Sequence, residues 1–207
     1  MNLKRKDILL KKLNYESSLI NNATKNIVIS IVGISNGVGT TRVATKLAYD
    51  LLQKCEKVAL LEFNKSTDLE NLEEDDFKIT DKGQIDIYSY HELSIDKVIK
   101  KDIYNVILCD FGDYFNINCN EDILALHNSS IKAVVINLVS WKQRYLERFL
   151  KDIDIEEWSY IVNLVNDSDY LKLLKDFRSF DRNIKVFKFE FLENNDKNQG
   201  IAGWLLD

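Results

Sequence analysis

The sequence predicts an α/β protein, a three-layer sandwich built on a mostly parallel β-sheet, and three observations carry the prediction. Short, continuous apolar runs rich in β-branched residues recur along the chain, as expected for strands covered on both faces. Amphipathic stretches with helical spacing separate these runs. A glycine-bearing turn follows the first run, at the carboxyl end of a strand, where such folds bind ligands.

The first three predicted elements form a βαβ unit over residues 27–63. The run "NIVISIVGI" is the strand, "TRVATKLAYDLLQK" the helix and "KVALLEF" the next strand. An acidic, polar excursion follows over residues 64–83. Beyond it the chain reads as an edge strand "QIDIYSY", a helix "SIDKVIKK", the strands "YNVILCDF", "KAVVINLV", "WSYIVNLV" and "NIKVFKFEF", and the helices "WKQRYLERFLKDI" and "DYLKLLKDFRSF".

Composition limits the classes of function. The chain has 207 residues, 45% hydrophobic content and a net charge of −5, with acidic and basic residues interspersed. This predicts one domain over residues 26–207 and argues against a nucleic-acid partner. The polar N-terminus does not resemble a signal peptide, so the protein is expected to be cytoplasmic. No apolar run approaches the roughly 20 residues that a membrane-spanning helix needs. The three cysteines lack the paired spacing of a metal or redox motif and are predicted to be inert: Cys55, Cys109 and Cys119.

Residues 1–25 form a separate segment in which lysines and one arginine surround leucines and isoleucines in a short helical pattern. A basic amphipathic helix of this kind can make peripheral contact with an anionic membrane or dock on a partner. It can also pack on its own domain. The sequence leaves these alternatives open.

A glycine loop, defined here as residues 35–41, joins the first strand to the first helix. Such a turn gathers backbone N–H groups and a helix N-terminus around one point, which suits a phosphate group. The Thr41 hydroxyl is placed to hold Mg²⁺. The loop residues predicted to bind nucleotide are Asn36, Gly37, Val38, Gly39, Thr40 and Thr41.

The glycine loop resembles the deviant Walker A motif K-G-G-x-G-K-[ST] of the MinD/ParA family of P-loop ATPases. The resemblance continues from Ile27 through most of the chain in element order and motif placement. It implies that Asp110, in "VILCDFG", is the Walker B aspartate of the Mg²⁺ shell. It also implies that Glu62 and Asn64 replace the family's acidic pair D-x-D. Asn163 corresponds to an asparagine near the nucleotide base, with Asn166 as the alternative.

The departures from the family pattern fall on charged residues. Ser35 and Thr40 stand where the family has its two loop lysines, and Asn64 has lost an acidic charge. Arg42 is close by but is expected to point elsewhere. Since phosphoryl transfer depends on positioning and charge stabilisation, we expect little or no ATP hydrolysis. Weak binding of ATP or ADP with Mg²⁺ remains compatible with the loop.

The resemblance implies two candidate functions. The first is a degenerate MinD/ParA-like protein that regulates, localises or scaffolds a protein partner, akin to atypical localisation ATPases of pilus-assembly systems. The second is a slow, ATP-dependent switch that forms a homodimer around Mg-nucleotide. A DNA-partitioning role is disfavoured by the acidic net charge.

Overall fold

The computed structural model describes residues 26–54, 57–64, 68–69, 84–89, 95–139, 142–181, 183–190 and 201. The predicted basic segment over residues 1–25 lies outside the described residues, as do Cys55 and nearly all of the acidic excursion. Their assignments therefore stay predictions.

The described strands form one seven-stranded sheet in which every neighbouring pair is parallel. The spatial order is β3-β2-β4-β1-β5-β6-β7, so the predicted edge strand β3 does lie at an edge. The α/β prediction is confirmed, and the sheet is parallel throughout. The strands are β1 (Ile27–Gly33), β2 (Lys57–Glu62), β3 (Gln84–Tyr88), β4 (Val106–Asp113), β5 (Ile131–Ile136), β6 (Trp158–Val162) and β7 (Lys185–Lys188).

The described helices connect successive strands. Four of them follow the predicted amphipathic stretches, and α1 packs against β1, β2 and β4. The exception is α3, which the sequence did not predict, because its buried residues Leu124 and Leu126 are two apart and give no helical pattern. The helices are α1 (Thr40–Leu52), α2 (Ile95–Ile99), α3 (Asn120–His127), α4 (Gln143–Asp152) and α5 (Asp167–Phe180).

The core lies along the central strands. From Val28 onward β1 is buried, and the first six residues of β4 beside it are buried too. Continuous apolar runs are needed here because helices cover both faces of a parallel sheet. Among the described residues, no helix is both long and apolar enough to cross a membrane. The result is a rigid central strand whose carboxyl end presents the glycine loop.

Candidate phosphate-binding site

The glycine loop leaves the sheet at its centre. Gly33, the last residue of β1, pairs with Asp113 of β4 on one side and with Val135 of β5 on the other. The carboxyl ends of both neighbouring strands therefore flank the loop.

Two glycines in the loop adopt left-handed backbone conformations. Gly37 has φ of 71° and Gly39 has φ of 87°, a region that side chains other than glycine rarely occupy. The Gly39 carbonyl accepts the first helical hydrogen bond, from the Val43 N–H at 3.0 Å, and α1 starts at once. The turn therefore delivers a helix N-terminus to the site, as an anion cradle requires.

Asn163, which directly follows β6, contacts the glycine loop. Its side-chain amide donates to the Val38 carbonyl at 2.9 Å, and the residue is only 1% exposed. A Cβ at Gly39 would lie 2.5 Å from the same amide nitrogen, so glycine is needed there. Asn166 instead accepts from the Asp169 N–H and caps α5. A contact of either asparagine with a nucleotide base stays a prediction.

Ser35 and Thr40, which align with the two loop lysines of the family motif, are both buried. The Thr40 hydroxyl lies against the point where a Cβ of Gly33 would be, and Thr40 is 8% exposed. Ser35 is buried, and its hydroxyl donates to the Asn36 carbonyl at 3.4 Å. Neither side chain brings a positive charge to the loop.

Two buried carboxyl groups lie on neighbouring strands near the glycine loop. Glu62 at the end of β2 is in register with Asp110 of β4, and both are buried. Burial, with a smaller contribution from the nearby charges of Glu62 and Asp68, raises the pKa of Asp110 to about 6. Hydrogen bonds from the Thr41 hydroxyl and the Gly112 N–H oppose this rise. A buried acid with a raised pKa is a group whose charge a cation would stabilise.

The arrangement of Thr41 and Asp110 fits a divalent cation. Asp110 Oδ2 is buried and has no hydrogen-bond partner in the described part of the chain. Hydroxyl and carboxylate oxygens are ligands that Mg²⁺ accepts, usually together with substrate phosphates. The described residues contain no cluster of three or more His, Cys, Asp or Glu that would hold a metal alone. A cation here would therefore depend on oxygens from a bound ligand.

A cavity of about 670 Å³ opens between the glycine loop and the segment that follows β4. Arg42 is among the lining residues, and the direction of its guanidinium group stays a prediction. Three aspartates line it as well, so the wall carries more acidic than basic groups. The lining residues that the sequence analysis had not singled out include Asp68, Asp113, Asp122, Phe63, Phe111 and Cys119.

Gly112, near the end of β4, lies against Asn64, which follows β2. Its φ is 63°, and a Cβ there would lie 2.8 Å from the Asn64 Cβ. The phenyl rings of Phe63 and Phe111 stack beside it, with centroids 4.5 Å apart. The sequence carried a signal for this contact, since a glycine within a strand often marks a close approach of another part of the chain.

Lys142, just before α4, was also missed. Its ammonium group donates to the Asn36 carbonyl at 2.7 Å and lies 3.7 Å from the Cβ position of Gly37. The two residues are 106 positions apart in the chain. No local sequence motif predicts this contact. It arises because β5 pairs with β1, which brings the segment after β5 next to the glycine loop.

Comparison with known proteins identifies the fold. No protein-family model and no curated protein sequence matches the chain. Solved structures do match. Hydrogenase maturation factor HypB from Archaeoglobus fulgidus has a TM-score of 0.59 at 12% identity, over 98% of this chain and 97% of its own.

Two further structures extend this likeness. A ParA family ATPase from Chlorobium tepidum TLS has a TM-score of 0.57 at 14% identity, over 89% of this chain and 99% of its own. A putative plasmid partition protein from Borrelia burgdorferi B31, bound to AMPPNP, has a TM-score of 0.56 at 14% identity, over 87% and 96%. With the glycine loop at the carboxyl end of the central strand, the chain has the MinD/ParA-like fold of P-loop ATPases.

Proposed function

We propose that this protein binds a nucleoside di- or triphosphate weakly and together with Mg²⁺, with little or no hydrolysis, and serves as a regulatory, localising or scaffolding module. One observation carries the proposal. Gly37 and Gly39 are left-handed and α1 starts directly after them, while Thr40, in place of the family's lysine, has its hydroxyl against Gly33. The AMPPNP in the Borrelia neighbour supports a nucleotide as the ligand.

The frame consists of the left-handed Gly37 and Gly39, the start of α1 and the Thr41–Asp110 pair. Backbone N–H groups and a helix N-terminus bind phosphate without any side-chain charge. A charge-assisted hydrogen bond contributes about 1.5–3 kcal/mol. Losing two of them converts roughly micromolar into roughly millimolar affinity. The binding that remains is therefore weak.

The acidic wall of the cavity makes a divalent cation part of the proposal. Asp68, Asp113 and Asp122 line the space together with a single described arginine, Arg42. A polyphosphate without a cation would be repelled by these groups and by Asp110 below them. With Mg²⁺, Thr41 and Asp110 would hold the metal, which supplies the charge that the loop lacks. Nucleotide binding should therefore disappear when the metal is removed.

A calorimetric titration tests the proposal. Mg-ATP and Mg-ADP are titrated into the full chain, with and without EDTA, alongside Thr41→Ala. We expect weak heats of binding that EDTA abolishes and that Thr41→Ala reduces about tenfold. If millimolar Mg-nucleotide produced no heat of binding, the proposed nucleotide binding would be overturned, and only the proposed scaffolding role would stand.

The slow, ATP-dependent dimerising switch is the second candidate, and the retained Thr41–Asp110 pair favours it. Light scattering with Mg-ATP and with Mg-ADP separates the two. A dimer that forms with Mg-ATP but not with Mg-ADP supports the switch, whereas the same molecular mass with both nucleotides supports the scaffold.

A solved MinC:MinD complex from Aquifex aeolicus supports a protein as the partner. DNA, which pNOB8 ParA binds, is not proposed for this chain because its net charge is −5.

A further inference from the structure

Lys142 places an ammonium group at the tip of a loop that has no cation at either family position. The group lies against Asn36 and Gly37, and both of those residues line the cavity. It approaches the loop from the β5 side, opposite the buried acids of β2 and β4. The positive charge thus lies next to two residues of the cavity wall, while Lys142 itself belongs neither to the loop sequence nor to the lining residues.

The present hydrogen bond leaves the ammonium group able to serve a ligand. An ammonium carries three N–H donors, and the Asn36 carbonyl takes one of them. A carbonyl is a neutral acceptor, whereas a phosphate oxygen carries charge and accepts a stronger hydrogen bond from a cation. Lysine binds phosphate as a compact point charge, so it tolerates approach from several directions.

The topology explains why this cation can replace one from the loop. Because β5 pairs directly with β1, the segment after β5 ends beside the glycine loop. Lys142 lies at the start of α4 in that segment. A long, flexible side chain from this position reaches the loop tip, whereas Thr40 is fixed under the loop against Gly33.

We propose that Lys142 supplies the positive charge that Ser35 and Thr40 do not, and that it contacts the phosphate groups of a bound nucleoside di- or triphosphate. This inference rests on the proposed nucleotide binding. Lys142 contributes to the affinity for the nucleotide and takes no part in hydrolysis. The preferred ligand is then one with several phosphates, because each added phosphate charge strengthens its attraction to the ammonium.

The test separates the charge of Lys142 from its hydrogen bond. Lys142→Gln keeps a donor for the Asn36 carbonyl and removes the charge, whereas Lys142→Arg keeps both. Lys151→Met removes an exposed charge elsewhere on α4 and is the matched control. Mg-ATP and Mg-ADP are titrated into each full-length variant at several salt concentrations, and thermal unfolding checks that each variant is folded.

We expect Lys142→Gln to weaken Mg-ATP binding about tenfold, to weaken Mg-ADP binding less and to flatten the salt dependence of affinity. Lys142→Arg and Lys151→Met should stay within about twofold of the parent protein. If Lys142→Gln binds as the parent does, the inference is overturned and the proposed function stands. Equal losses in the Gln and Arg variants would also overturn it, since they would assign Lys142 to loop support alone. If the parent itself does not bind, both fail together.

Discussion

The two sides of the glycine loop differ in what they offer it. On the β5–β6 side, Asn163 and Lys142 donate hydrogen bonds to the loop carbonyls of Val38 and Asn36. On the β2–β4 side, the loop faces the buried acids Glu62 and Asp110 and an acidic cavity. The β5–β6 side thus supplies hydrogen-bond donors that support the loop, whereas the β2–β4 side supplies acidic groups.

The conformation of the glycine loop and the charge around it therefore depend on different residues. The shape depends on glycines and on a buried amide, all of which are present. The charge in the family pattern depends on lysines within the loop, and here those positions hold Thr40 and Ser35. The predictions below separate the two contributions.

Gly39→Ala should cause the largest loss of stability. It places a side chain at φ of 87° and drives it to within 2.5 Å of the Asn163 amide. Strain of about 1–2 kcal/mol and overpacking of about 1–3 kcal/mol predict a total near 3 kcal/mol in the free energy of unfolding. Urea denaturation measures it. Gly37→Ala is the matched control, with similar strain but only the flexible Lys142 ammonium nearby, and should cost about 1 kcal/mol. Equal losses would show that Asn163 does not set the requirement for glycine.

Asp110→Asn should stabilise the metal-free protein, most strongly at high pH. Burial raises the pKa of Asp110 from 3.8 to about 6, so the folded state binds a proton more tightly than the unfolded chain. Stability is therefore lost as pH rises from about 4 to about 6 and stays lost above that range. The shift corresponds to at most about 3 kcal/mol.

Denaturation of both proteins in EDTA, between pH 4 and pH 8, measures this difference. The advantage of the Asn variant should be greatest at pH 8 and should vanish near pH 4. A constant difference across the range would mean that Asp110 does not titrate in it.

Asn163→Ala should have a smaller effect on stability but should also weaken nucleotide binding. It removes the donor to the Val38 carbonyl and leaves that acceptor buried, which costs about 1–2 kcal/mol. Asn166→Ala, which removes the cap of α5, should cost about 1 kcal/mol and leave the loop unchanged. Chemical denaturation and Mg-ADP titration of both variants test this. A loss of affinity in Asn166→Ala alone would assign the ligand contact to Asn166 instead.

The fold was predictable because buried parallel strands are recognisable in the sequence as continuous apolar runs rich in β-branched residues. The βαβ unit, the edge position of β3 and the placement of the glycine loop all follow from such runs and from "NGVGTT". Helix α3 was missed because Leu124 and Leu126 give no helical periodicity. The contact of Lys142 with the loop was missed for a different reason: it depends on the order of the strands in the sheet, which leaves no local motif.

The most direct test of the account is to restore the missing charge. Mg-ADP and Mg-ATP are titrated into the parent protein, Thr40→Lys and Thr40→Met, where Met controls for displacing the Thr40 hydroxyl from Gly33. The account predicts a Kd of about 0.1–1 mM for the parent, about tenfold or more tighter binding for Thr40→Lys, and no gain for Thr40→Met. Micromolar binding by the parent with no gain from Thr40→Lys would contradict the claim that this loop has kept its shape and lost its charge.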